Sequence, residues 1–223
     1  MSNAVLACSI EATSRVVRGR KSVAAVVLAV WFTLVIVLGA DGAFVTMPGT
    51  PPLPILIAFM VPIIAFLAGF WMSSPFREFV LAADLRLMMG IQAWRFAGLG
   101  FLALYTHGVL PGIFAWPAGL GDIAIGGTAP WILVALIRQP SFVASKTFMM
   151  WNVLGILDLV VAVGTGALAS AVATGVAGEV TTSSMAQLPL VLIPAYLVPI
   201  FMMLHMAALF QARRLSGNLK ERA

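Results

Sequence analysis

The sequence predicts an all-α membrane protein, a bundle of six transmembrane helices whose N-terminus and C-terminus both lie in the cytoplasm. The chain of 223 residues is 61% hydrophobic and 9% charged, whereas soluble domains contain about 25% charged residues. It contains six apolar stretches, each of roughly the 20 residues that a helix needs to cross a bilayer. The lysines and arginines lie almost entirely between alternate stretches, as is typical of multi-pass membrane proteins.

The predicted transmembrane domain covers residues 23–210. Its six spans are predicted at residues 23–39, 53–72, 88–105, 118–137, 148–169 and 188–210. A cytoplasmic segment over residues 1–22 precedes the spans, and a basic cytoplasmic tail over residues 211–223 follows them. The mixed polar and apolar sequence after span two predicts a short interfacial helix, with Ser74 as its N-cap and Pro75 as its first residue.

The orientation follows from the basic residues, because short loops rich in lysine and arginine stay in the cytoplasm. With the N-terminus inside, twelve of the thirteen basic residues lie on the cytoplasmic side. The opposite loops, at residues 41–52, 106–117 and 170–187, contain none. We therefore predict a multi-pass protein of the cell inner membrane. The net charge of +5 then reflects topology and anionic lipid, so the expected partner is the lipid bilayer, with no nucleic acid.

Three charged residues lie inside predicted spans: Arg95 in span three, Asp122 in span four and Asp158 in span five. Each costs about 2.5 to 3.5 kcal/mol to insert, so each needs a protein or water partner. At 1.5 Å per residue from the cytoplasmic boundary, Arg95 lies about 10 Å deep, Asp158 about 15 Å and Asp122 about 23 Å. We expect Arg95 to reach Asp158, and to reach Asp122 only if span three begins deeper.

Two neutral side chains extend this candidate site. Gln92 shares a predicted helical face with Arg95, Leu99 and Leu102. His205 lies about 8 Å from the cytoplasmic boundary of span six, level with Arg95. The candidate substrate or proton site therefore consists of Arg95, Asp158, Asp122, Gln92 and His205.

Small residues share helical faces with the two carboxylates and predict close packing of the spans. These faces are Gly119, Asp122, Gly126 and Ala129 in span four, and Trp151, Gly155, Asp158 and Ala162 in span five. Asp158 has two alternative roles, a register-fixing ion pair with Arg95 or part of a site. For Asp122 the alternative to a site is a carboxylate near the outer interface that bonds to Thr128 or to backbone groups freed at Gly126 and Gly127.

Spans four and six contain residues that break helices. They are Gly126, Gly127 and Pro130 in span four, and Pro189, Pro194 and Pro199 in span six. Proline removes a helical hydrogen-bond donor, so we expect both spans to be kinked or locally unwound. Such breakers are either ordinary features of membrane helices or the mark of a broken helix that lines a cavity.

Three functions fit these observations. The leading one is proton-linked passage of a small solute or ion between spans three, four and five, in which Arg95 binds an anion or locks the closed state, Asp158 titrates and Asp122 guards the outer entrance. The second is a structural or assembly subunit of a membrane complex, with a homo-oligomer or another membrane protein as partner. The third is a membrane redox or haem-associated protein that uses His107 or His205.

The two histidines lie roughly 20 Å apart along the membrane normal, so they do not share one haem. The sequence contains no phosphate-binding loop, no His-Glu-x-x-His, no Cys-x-x-Cys and no Gly-x-Ser-x-Gly. No metal site and no cofactor are predicted. Whether the protein is an enzyme stays open at this point.

Overall fold

A computed structural model describes the backbone of residues 2–220. Solvent exposure and side-chain contacts are described for Gly19 and for residues 22–217. The described chain is helical and contains no strand. Its α-helices are α1 (Ser2–Ala40), α2 (Leu53–Met72), α3 (Ser74–Leu81), α4 (Leu85–Ile91), α5 (Leu99–Thr106), α6 (Gly112–Arg138), α7 (Lys146–Ala171) and α8 (Val198–Lys220). Short 3₁₀ turns also occur at Pro140–Ala144 and Thr182–Ala186.

Six helical segments are long and apolar enough to cross a membrane, which confirms the predicted number of spans. They are span one (Ser22–Ala40), span two (Leu53–Met72), span three (Leu85–Thr106), span four (Gly112–Arg138), span five (Lys146–Ala171) and span six (Ile193–Gly217). The helical segments begin or end three to seven residues away from the predicted bounds of spans three, four and six at one or both ends. Where the membrane boundaries lie along these helices stays a prediction. The prediction of cytoplasmic termini is a statement about orientation, and it stays a prediction.

The start of span three explains why the observed helix begins earlier than predicted. Asp84 is the N-cap of α4, and its side chain accepts a hydrogen bond from the backbone N–H of Arg86. Span three therefore begins at Leu85 instead of residue 88. The predicted short helix forms as α3, but its N-cap is Ser73, whose hydroxyl accepts from the N–H of Phe76. Its interfacial position stays a prediction.

The middle of span three is a 3₁₀-helix over Gln92–Gly98. A 3₁₀-helix has three residues per turn, so residues three apart lie on one line along its surface. Gln92, Arg95 and Gly98 are accordingly all buried. The predicted face, drawn for 3.6 residues per turn, included Leu99, which is 47% exposed. The helix type therefore decides which side chains accompany Arg95 into the interior.

Span six begins with a π-helical turn, Ile193–Leu197, before α8. This turn contains Pro194 and fits the predicted local unwinding, whereas Pro189 lies before the span. Span four, by contrast, is one continuous helix that passes through Pro117 and Pro130. Local unwinding of span four was therefore wrong, and the bending of both spans stays a prediction.

Spans three and four touch through their backbones. A Cβ atom added to Gly126 would lie 2.7 Å from the carbonyl carbon of Arg95 and 2.9 Å from the Cα of Phe96. One added to Gly98 or to Gly119 would lie 3.1 Å from the other residue's carbonyl oxygen. Contacts this close exclude any side chain at Gly126. The glycines thus hold Arg95 directly against span four.

Candidate functional site

Arg95 is the centre of a buried polar cluster and is 2% exposed. Its Nε donates to Oδ1 of Asp122 at 2.7 Å, and its Nη2 donates to Oδ2 of Asp158. Its Nη1 donates to the carbonyl oxygen of Gly155 at 3.3 Å and lies 3.1 Å from Nε2 of His205. One arginine on span three therefore joins side chains from spans four, five and six.

The contact with Asp122 corrects the expectation that this carboxylate lies out of reach of Arg95. Span three begins three residues earlier than predicted, and four of the residues up to Arg95 rise about 2.0 Å each as 3₁₀-helix. Arg95 therefore lies about 17 Å from the start of its span instead of about 10 Å. Asp122 lies about 24 Å from the corresponding end of span four. An extended arginine side chain covers the remaining difference.

Thr128 is not the partner of Asp122. Its hydroxyl donates to the carbonyl oxygens of Ala124 and Ile125, and it accepts a hydrogen bond of 2.8 Å from the indole N–H of Trp151. The predicted bond between Asp122 and Thr128 was therefore wrong. Thr128 instead helps join spans four and five next to the cluster.

His205 lies inside the cluster and is 0% exposed. Arginine only donates hydrogen bonds, so Nε2 of His205 accepts from Arg95 and the ring proton lies on Nδ1. Nδ1 lies 2.9 Å from Oδ1 of Asn152, whose Nδ2 donates to the carbonyl oxygen of Phe148. The helical segment of span six extends to Gly217, about 18 Å beyond His205 along the helix.

The histidines do not form a haem site in this structure. Both ring nitrogens of His205 are engaged, one by Arg95 and one by Asn152. His107 is exposed beyond the end of α5, and its Nδ1 lies 2.7 Å from the carbonyl oxygen of Ala103. An iron ion at His205 would have to displace the Arg95 contact, so the geometry does not favour the haem interpretation.

Gln92 is buried on the same line as Arg95 but makes no bond to it. Its Nε2 donates to the carbonyl oxygen of Phe201 at 3.2 Å. Its Oε1 is buried and has no hydrogen-bond partner in the part of the chain that the structure describes. Gln92 therefore ties span three to span six one turn below the ion cluster.

Two glycines leave room for the ionic side chains. A Cβ atom at Gly155 would overlap the imidazole of His205, and one at Gly121 would overlap the carboxylate of Asp158. Gly155 also exposes the carbonyl oxygen that Arg95 uses. Gly155 belongs to the predicted small-residue face of span five, whereas Gly121 was not part of the predicted face of span four.

A cavity of about 130 Å³ extends from the loops without basic residues down to Asp122. Its walls are formed by residues of spans two to six, of the loop between spans one and two, and of the loop between spans five and six. Asp122 is the only charged residue among the described residues that line it. The Asp122 side chain is 16% exposed and that of Asp158 12%, whereas that of Arg95 is 0% exposed. A molecule in the cavity therefore meets a carboxylate and does not meet the guanidinium.

Sequence reasoning missed Asn152 and the carbonyl group of Gly155. Asn152 offers a signal, since an amide inside an apolar span is costly and usually has a partner. The role of the Gly155 carbonyl has no signal in the sequence, because every residue carries one.

A family model described as "Domain of unknown function (DUF8737)" matches residues 52–213. The matched range contains spans two to five, most of span six and every side chain of the Arg95 cluster. Among curated proteins and among solved structures, no significant match was found. Since the match covers well over half of the sequence, the chain belongs to the DUF8737 family.

Proposed function

We propose that the protein is a multi-pass protein of the cell inner membrane, with cytoplasmic termini, that moves a small solute or ion in a proton-linked manner. The polar centre of this route is the Arg95 cluster between spans three, four and five. The observation that carries the proposal is the double position of Asp122, which pairs with Arg95 and also lines the cavity. Occupancy of the cavity and charge in the cluster are therefore coupled.

The charge balance of the cluster supports a proton or cation as the coupled species. With both carboxylates ionised, one guanidinium faces two negative charges while His205 is neutral, which leaves an excess charge of about −1. An uncompensated charge inside a membrane protein is costly and is relieved by a proton or a cation. Asp122 and Asp158 therefore form a site that exchanges such a species.

Arg95 fits the role of a lock better than that of an anion site. Its donors are engaged by Asp122, Asp158, Gly155 and His205, and its side chain is shielded from the cavity. An incoming anion would meet the carboxylates first. In the proposed mechanism Arg95 holds the two carboxylates together, and neutralisation of either one weakens its hold and frees the spans to move.

Proton flux into vesicles tests this proposal. The purified chain is reconstituted into liposomes that contain a pH-sensitive dye, and a pH step with a potassium diffusion potential is applied. We expect acidification faster than in protein-free vesicles, and slower rates with Asp122→Asn and Asp158→Asn. Asp41→Asn removes an exposed carboxylate in the loop after span one and is the matched control. Wild-type rates equal to those of protein-free vesicles would overturn the proposal.

An assembly subunit remains the second candidate, and a specific observation favours it. Arg95 and His205 are buried and satisfied in a network that crosses four spans, as expected for a device that fixes helix register. In that case the wild-type chain gives no flux above that of protein-free vesicles, and the Asp122 and Asp158 variants lose stability. Comparing flux with unfolding for the same variants separates the two functions.

A further inference from the structure

We propose that the cavity binds a small organic cation, an ammonium group on an apolar body, with its charge at Asp122. This inference rests on the proposed function and names the substrate class of the same site. It is carried by the chemistry of the cavity wall and by the bonding of the two Asp122 oxygens.

The wall of the cavity is predominantly apolar. It includes Phe101 and Phe114, which pack edge to face with ring centroids 5.3 Å apart, together with Leu159, Ala162 and Val198. Its volume of about 130 Å³ is close to that of cavities that hold one aromatic ring. Aromatic rings near a bound ammonium group add attraction through their electron-rich faces. The wall therefore fits an apolar body of modest size.

Asp122 has an oxygen available to such a ligand. Its Oδ1 accepts from Arg95, whereas its Oδ2 accepts no hydrogen bond from any residue that the structure describes. Charge-assisted hydrogen bonds are about twice as strong as neutral ones, particularly away from water. An ammonium group at Oδ2 would also neutralise the excess negative charge of the cluster. The organic cation and the coupled proton would therefore compete for the same carboxylate, that of Asp122.

The same features disfavour other ligands. An anion would face Asp122, while the guanidinium of Arg95 is shielded behind the two carboxylates. A bare metal cation needs about six oxygen ligands. Among the lining residues that the spans contribute, only Asp122 and Ser170 have polar side chains, and the hydroxyl groups of Thr46, Thr182 and Ser183 belong to the loops. The cavity therefore matches a charged amine with a hydrocarbon body.

Equilibrium binding of three probes of one shape tests the inference. The purified full chain in lipid nanodiscs is titrated calorimetrically at neutral pH with benzylammonium, benzyl alcohol and benzoate, and empty nanodiscs correct for partition into lipid. We expect benzylammonium to bind about tenfold or more tightly than the alcohol, and benzoate to bind most weakly. A preference for the alcohol or for benzoate would overturn the inference.

Two variants locate the site. Asp122→Asn should remove the preference for benzylammonium over benzyl alcohol, while Asp41→Asn, at an exposed position, should keep it. Ala162→Leu fills the cavity without touching the cluster and should weaken both ligands about tenfold or more. This variant keeps the test decisive if Asp122→Asn fails to fold. An unchanged preference in Asp122→Asn, or unchanged binding in Ala162→Leu, would contradict the assignment.

Binding and flux fail separately. Benzylammonium binding that depends on Asp122, without proton flux in vesicles, supports the inference and removes the proposed transport. Proton flux without selective binding of benzylammonium would support the proposed transport and overturn the inference. Titrations with sodium chloride and with potassium chloride provide a further comparison. If one of these salts gives a binding signal that the other does not, and benzylammonium gives none, the site binds an inorganic cation and the inference is overturned.

Discussion

Arg95 and His205 are the junction of a hydrogen-bonded chain that crosses four spans. Nη1 of Arg95 lies 3.1 Å from Nε2 of His205, and Nδ1 of His205 lies 2.9 Å from Oδ1 of Asn152. From Arg95 the chain continues to Asp122 on span four. Spans five, six, three and four are thus joined in that order by side chains alone.

The tautomer of His205 is the first prediction. Because Arg95 donates to Nε2, the ring proton of His205 must lie on Nδ1. Nitrogen NMR of a ¹⁵N-histidine-labelled sample should show one ring with a protonated Nδ1 and an unprotonated Nε2. The exposed His107 supplies the internal control, since the chain contains two histidines. A doubly protonated His205, or one with its proton on Nε2, would contradict the described network.

The second prediction concerns the energetic coupling of Arg95 and Asp158. Arg95→Ala leaves two carboxylates facing each other in a buried place, which typically costs about 3 to 5 kcal/mol. The double change Arg95→Ala with Asp158→Ala should recover much of this loss, because fewer unpaired charges then remain. Unfolding of the four proteins in bicelles by a denaturing detergent measures the cycle.

The strength of the coupling distinguishes a lock from a hydrated site. A coupling free energy of about 0.5 kcal/mol or less is the usual scatter for independent positions and would show that the pair contributes nothing. A large coupling shows that Arg95 fixes the spans. Asp158→Ala alone should cost less than Arg95→Ala, because the Asp158 side chain is 12% exposed and Arg95 keeps Asp122 as a partner.

The third prediction uses two adjacent glycines in span four. A methyl group at Gly126 meets the backbone of Arg95 and Phe96, whereas one at Gly127 lies 3.8 Å from the Phe96 ring, an ordinary contact. Gly126→Ala should therefore destabilise the protein by about 1 to 3 kcal/mol, as overpacking does. Gly127→Ala should change stability by about 0.5 kcal/mol or less. Equal losses for the two variants would show that spans three and four do not touch as described.

The fourth prediction is the topology. Reporter fusions after Arg86, Lys146 and Arg214 should report the cytoplasm, because basic loops stay inside. Fusions after Thr50, Gly112 and Thr181 should report the opposite side. One fusion of the wrong sense would exclude the arrangement of six spans with cytoplasmic ends.

The fifth prediction concerns the loop before span six. The exposed carboxylate of Glu179 accepts from the backbone N–H of Thr174 at 2.8 and 3.0 Å and from that of Gly175 at 2.8 Å. These bonds, led by the Thr174 backbone amide, hold the pKa of Glu179 below its ordinary value of 4.5. The loop contact is therefore fully present above pH 4.5 and is lost as the pH falls through the lowered pKa.

Hydrogen exchange measures this effect. Corrected for the intrinsic pH dependence of exchange, the protection of the Thr174 and Gly175 amides should fall as the solution becomes more acidic than pH 4.5. Glu179→Gln should show weaker protection that does not change with pH in this range. Protection that is constant with pH in the wild type would mean that Glu179 does not hold the loop.

The sequence was sufficient for the architecture and for most members of the site. Apolar stretches and basic loops specify the spans, and the cost of a charge in hydrocarbon singles out Arg95, Asp122 and Asp158. Their relative depth was not predictable, because it depends on where span three begins and on its helix type. A rise of 1.5 Å per residue was assumed where about 2.0 Å applies, which separated Arg95 from Asp122.

The surroundings of His205 could not be predicted from the sequence either. Its position about 8 Å from the predicted end of span six gave no indication that its ring would be fully buried between Arg95 and Asn152. Backbone groups such as the Gly155 carbonyl have no residue-type signal at all. Local periodicity indicates which face of a helix a residue occupies. Contacts between spans also depend on where each span begins and ends, and an error of three or four residues in a boundary shifts a residue by a whole helical turn relative to the next span.

The 3₁₀-helix of span three has a further consequence for length and rotation. Its seven residues, Gln92–Gly98, span about 3.5 Å more than they would as α-helix. Rewinding into α-helix would shorten span three by that amount and turn Arg95 by about 60° relative to Gln92. A change in hydrogen-bond spacing along the backbone would thus withdraw Arg95 from Asp122 without moving either end of the neighbouring spans.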